Sequence, residues 1–142
     1  MQKRDRYTTT AGYRNNNPTN IRYDARNKWK GQIGVRNGFC VFDSQIKAFR
    51  ATTKILFRYI DRGENTPEKI IRCWAPSIEN NTEAYLVYVC KKAHIERAYR
   101  ISKYQRDLIV RLISAMCGFE CANYEPPQSW VAAGYDLAVT EL

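Results

Sequence analysis

The chain has 142 residues and a formal charge of +9, with 44% hydrophobic and 13% aromatic residues. That aromatic share excludes a disordered chain, and the length allows one domain with a real buried core. No apolar run approaches the roughly 20 residues that a membrane span needs, since even Leu108 to Met116 is interrupted by Arg111.

The positive charge implies an acidic partner, either nucleic acid or an envelope rich in anionic polymer. Lys and Arg are scattered rather than massed in one arm, which favours the envelope. The opening Met1-Gln2-Lys3-Arg4-Asp5-Arg6 is basic with no apolar run behind it, so no secretory signal is expected. Five cysteines at wide spacing, Cys40, Cys73, Cys90, Cys117 and Cys121, do not form a disulfide framework. With His94 the sole histidine, neither a zinc site nor any other metal or cofactor site is expected; the thiols read as buried apolar groups.

In chain order, residues 1–12 are polar and basic and are expected to form a loosely held tail before a single domain over 13–142. Asn15-Asn16-Asn17-Pro18 cannot be regular structure, because Asn bonds its own backbone and Pro pushes its predecessor out of the helical region. Asn37-Gly38 between Trp29–Val35 and Phe39–Phe42 predicts a β-hairpin, since both turn residues tolerate positive φ. Asp43 or Ser44 should cap a helix to about Arg62 with Ala48, Ala51, Thr52, Ile55, Leu56 and Tyr59 inward. Thr66-Pro67 opens a helix through Trp74, and Pro76 ends it. Asn80 with Glu83 has the capping-box pattern and predicts a helix to about Lys92. A further helix is expected from about Ser102 to Phe119. After Pro126-Pro127, Ser129 should cap a short one ending near Gly134. The fold class is therefore mainly α (α+β), with one small hairpin near the start.

Periodicity leaves function open, but particular strings do not. Asn15-Asn16-Asn17-Pro18-Thr19-Asn20-Ile21-Arg22, Trp29-Lys30-Gly31, Phe39 to Phe42, Arg50-Ala51 and Ala75-Pro76 followed by Glu79-Asn80-Asn81-Thr82 and Tyr85 occur in this order. The set, spanning residues 13–92, resembles a family of phage virion-associated, lysozyme-like proteins, and is more faintly similar to bacterial glucosaminidases. The resemblance implies a lysozyme-like helical domain that attacks or binds peptidoglycan glycan strands, with bacterial peptidoglycan and other virion proteins as partners. The implied location is the virion, or the host cytoplasm before assembly. Two positions depart from the family pattern: Thr19 stands where a Gly is usual, and Arg36 where an acidic residue is usual. Both favour a copy that binds or scaffolds without cutting.

Glycosidic cleavage needs a carboxylic acid held protonated to supply a proton to the leaving oxygen. Two candidates arise. Glu79 lies in the family string but just before a helix start, where the dipole lowers a carboxyl pKa. Glu120 ends the Leu108–Phe119 helix, where the dipole raises it. No Glu precedes Glu64, so the acid-bearing first helix of lysozyme-like enzymes is missing. The expected solution is a circularly permuted order in which the later helix takes its place. Asn15, Asn17, Asn20, Trp74 and Tyr85 are the candidate sugar-binding residues, because amides and aromatic faces suit hydroxyl-rich rings. Three functions follow: a glycan-cleaving enzyme, a lapsed structural or wall-binding protein on the same fold, and, less favoured, a nucleic-acid-binding protein.

Overall fold

A computed structural model describes residues 3–77 and 81–142, with side chains from residue 6 onward. A 3-10 helix, Lys3–Thr9, leads into a one-turn helix α1, Ala11–Arg14. Strands β1 (Gln32–Arg36) and β2 (Phe39–Phe42) form the antiparallel hairpin. Five helices follow: α2 (Gln45–Asp61), α3 (Pro67–Trp74), α4 (Thr82–Ala93), α5 (Arg106–Glu120) and α6 (Gln128–Val139). The mainly helical α+β class is therefore observed. Among the described residues no helix is long and apolar enough to cross a membrane.

Local chemistry explains most boundaries. Asn37 and Gly38 both take positive φ, 52° and 83°, which is what a tight two-residue turn between twisted strands requires. Ser44 and Thr66 cap α2 and α3 by accepting from the backbone N–H three residues on. Helix α4 is capped by Asn81, whose Oδ1 accepts from Ala84 N–H at 3.1 Å. Glu83 makes a two-pronged pair with Arg97 at 2.9 and 3.0 Å; the expected Asn80–Glu83 box falls on Asn80, which lies outside the described residues.

Three expectations shift. Helix α5 starts at Arg106, not near Ser102, because Ser102–Gln105 is closed into a turn by its own side chains: Ser102 N–H donates to Gln105 Oε1 and Tyr104 N–H to Ser102 Oγ. Helix α6 runs through Gly134 to Val139 and has no side-chain cap at Ser129. Gly134 serves contact rather than termination, since a Cβ there would sit 2.7 Å from Arg50 N and 2.8 Å from Phe49 C. Residues 6–12, expected as tail, are packed instead. Tyr7 stacks on Tyr124 (4.8 Å between centroids) and meets Tyr13 edge-on, so aromatic burial holds the segment down.

Two apolar clusters organise the molecule. The larger joins α2 to α6, with Phe49, Leu56, Ile70, Leu86, Ile113 and Met116 fully buried. The smaller seats the hairpin and the Asn-rich turn on α2 through Ile21, Trp29, Cys40, Phe42, Ala48 and Ala51. Trp74 packs against both. Cys40, Cys117 and Cys121 are buried, and all five cysteines are free.

Candidate functional site

The Asn-rich turn is fixed from within. Asn17 is fully buried, and its amide donates to Ile21 O and Cys40 O while its Oδ1 accepts from Ile21 N–H at 2.9 Å. Asn15 is buried too, with Oδ1 accepting from Arg36 at 2.8 Å. The polar atoms of Asn17 and the Oδ1 of Asn15 are engaged within the protein, where they build the turn. The positive φ values fall at Asn16 (51°) and Asn20 (58°). Thr19 is therefore spared the left-handed region, and its buried hydroxyl lies 2.8 Å from that of Thr52 on α2.

Asn20 is the residue of the turn that points outward from this network. Its Nδ2 donates to Glu120 Oε1 at 3.0 Å, across 100 residues of sequence. Glu120 ends α5 and is held by two further donors, Tyr85 OH at 2.9 Å and the Trp74 indole N–H. Tyr85 itself is fully buried and stacks on Phe119 at 4.2 Å. It is thus a core residue whose hydroxyl holds Glu120. Burial pushes the Glu120 carboxyl above its usual range, and this outweighs the opposing effects of Asn20, Tyr85, Trp74 and the Arg22 charge. Glu79 lies outside the described residues.

Glu120 forms part of a cleft of about 620 Å³. One wall is the loop from Asn20 to Asn27. The other is the Ile55, Arg58, Tyr59 and Arg62 face of α2, spaced three and four apart, with Trp74, Ala75 and Pro76 at its end. Ile55 and Tyr59, expected inside the core stripe, are half-buried on this wall, while Phe49 and Phe57 take the deep positions. Four arginines line the cleft: Arg22, Arg26, Arg58 and Arg62. Asp24 is the other carboxylate, held down to about 2 by the Arg26 guanidinium. Of the expected binding residues, Asn20 and Trp74 reach the cleft with Glu120. The arginines went unforeseen, although Arg58 and Arg62 stand four apart on α2. Among the described residues no cluster of His, Cys, Asp and Glu is disposed to hold a metal.

The fold and cleft define a small helical domain with a shielded carboxyl at the meeting of an Asn-rich turn and a helix end, flanked by cations. The chain is 34% identical over 114 residues to Protein P5 of Pseudoalteromonas phage PM2, a match covering 77% of this chain and 69% of that protein. It belongs to the family of that phage protein. No protein-family model matches the chain.

Proposed function

We propose that this protein cleaves the glycan strands of bacterial peptidoglycan, with Glu120 as general acid in a lysozyme-like cleft. The observation that carries the reading is the Glu120 environment. A carboxyl shielded from water and touched by neutral donors keeps its proton to higher pH than an exposed one, burial here outweighing the Arg22 charge. Once protonated it can donate to the glycosidic oxygen. Tyr85 OH can turn and accept from the acid, since a phenol both donates and accepts. Asp24, ionised beside Arg26, would offset the positive charge that develops on the sugar ring. The Asn20–Glu120 contact supports the permuted order, with α5 in place of the acid-bearing first helix. Kinship with a phage protein supports a virion role, which would bring the enzyme to the wall from outside or leave it in the host cytoplasm before assembly.

A second reading, a virion structural or wall-binding protein without catalysis, is favoured by the three donors on Glu120, each of which stabilises the ionised form. The test is release of soluble muropeptides from purified sacculi, read by turbidity and mass spectrometry, for wild type, Glu120→Gln and Glu79→Gln. Release that vanishes with Glu120→Gln is the expected result. Loss with Glu79→Gln alone would move the acid to the loop after Pro76. No release from any form, with retention on the same sacculi, would establish the second reading.

A further inference from the structure

The cleft is more cationic than acid catalysis requires. Four guanidinium groups face two carboxyls: Arg26 is spent on Asp24, and the Arg22 charge acts on Glu120. Arg58 near the end of α2 and Arg62, its C-cap, stand one turn apart, where like charges repel. Among the described residues neither is paired with a carboxylate. Each is instead braced on an aromatic ring: Arg58 lies 5.0 Å from the Trp29 centroid and Arg62 5.0 Å from that of Tyr59. Arg58 gives one N–H to Asn27 Oδ1, and Arg62 gives one to the Cys73 thiol at 3.8 Å. A guanidinium has five N–H donors, and a ring-braced one presents a planar, pre-set edge suited to a carboxylate. Across the mouth, Arg22 is braced in the same way 5.2 Å from the Phe39 centroid.

We propose that Arg58 and Arg62 select strands bearing free carboxylates, namely the acidic peptide arms attached to the glycan, over neutral glycan. This rests on the reading of the cleft as a peptidoglycan site. These arginines are specificity residues: they hold the arm while Glu120 addresses the glycosidic bond.

The test uses soluble strands in three forms: native, stripped of peptide by an amidase so that only the lactyl carboxylate remains, and native strands whose carboxyls are capped with methylamine. Wild type should show KM roughly tenfold higher on capped strands, the scale of one charge-assisted hydrogen bond, with kcat little changed. Stripped strands behaving like capped ones assign the recognition to peptide carboxylates; stripped strands behaving like native ones, through the lactyl carboxylate that the amidase frees, overturn selection for the peptide arm. Arg58→Gln/Arg62→Gln should raise KM on native strands by a similar factor, and that defect should shrink on capped strands. Arg62→Gln alone covers the case in which loss of the Arg58–Trp29 contact impairs folding, and lysine at both positions should restore part of the preference. An equal defect on native and capped strands overturns the proposal. If wild type cuts nothing, the cleavage reading fails by itself. Retention on native against capped sacculi then decides this one: preference lost in the double variant supports it, and equal retention overturns it. Duplex DNA held as tightly as native strands, through the same arginines, would replace carboxylate by phosphate and overturn it too.

Discussion

Two glutamates mark opposite ends of the electrostatic range in this molecule. Glu120, at the end of α5, is touched by an amide, a phenol and an indole, and burial raises its carboxyl. Glu141, just beyond α6, is gripped by Arg50 through two bonds of 2.7 and 2.5 Å, with Lys54 at 3.3 Å, and is held down to about 2. Both are carboxylates near a helix end, where the dipole disfavours negative charge. The partners therefore decide the outcome: neutral donors in a shielded pocket make an acid, and cations at a half-open surface make an anchor. The anchor ties α6 to α2 beside the same Arg50 backbone that Gly134 approaches.

The sharpest way to break the contrast is Glu120→Gln, which keeps shape and one acceptor oxygen but removes the ionisable proton. We expect muropeptide release to fall by about 10²- to 10⁴-fold, with a far-UV circular dichroism melt close to wild type. A large fall in melting temperature would make Glu120 structural.

Next in size is Gly134→Ala. Its methyl would meet main chain that cannot swing aside, so a loss of about 2 kcal/mol in urea unfolding is expected. Smaller is Glu141→Gln, which leaves the buried Arg50 guanidinium without its anion. The pH dependence identifies it. Glu141 is depressed in the folded state, so its contribution is present above the unfolded carboxylate value of about 4.3 and lost as pH falls towards about 2. Wild-type melting temperature should drop across that window, and the variant should drop less. Glu120 has the opposite sign. Raised on folding, it favours the fold below about 4.3, and this contribution fades as pH rises through its folded value. Glu120→Gln should therefore flatten a decline on the alkaline side, where Glu141→Gln flattens one on the acid side.

The smallest expected effect is that of Tyr85→Phe. Losing one donor costs about 1 kcal/mol. Because that donor lowers the Glu120 carboxyl, the alkaline limb of the cleavage profile should move to higher pH. An unmoved limb would mean that Tyr85 does not address the acid.

Legibility in the sequence followed how local the determining chemistry is. The Asn37-Gly38 hairpin and the Ser44 and Thr66 caps depend on neighbours within three residues, and each is found where the pattern puts it. The starts of α5 and the role of Gly134 depend on a side-chain-closed turn and on a helix 80 residues away, which periodicity does not encode. The Asn string announced a turn but not the division of labour inside it. Asn15 takes the Arg36 guanidinium and Asn17 the backbone of Cys40, both on the hairpin, while Asn20 faces α5. The arginine wall was written on α2 as Arg58 and Arg62, yet a helix face cannot be told from any solvated face until something stands across from it.

The hydrogen bond between Asn20 and Glu120 also has a kinetic meaning. Contacts far apart in sequence form late, because a long loop must close before they repay its entropy. A chain emerging from the ribosome can wind α2, α3 and α4 while residue 120 is still inside the tunnel. Its Asn-rich turn then has no carboxyl to hold. The Glu120 carboxyl acquires its shielded setting only when α5 has been released and docked, so the order of synthesis itself delays the moment at which this cleft comes into being.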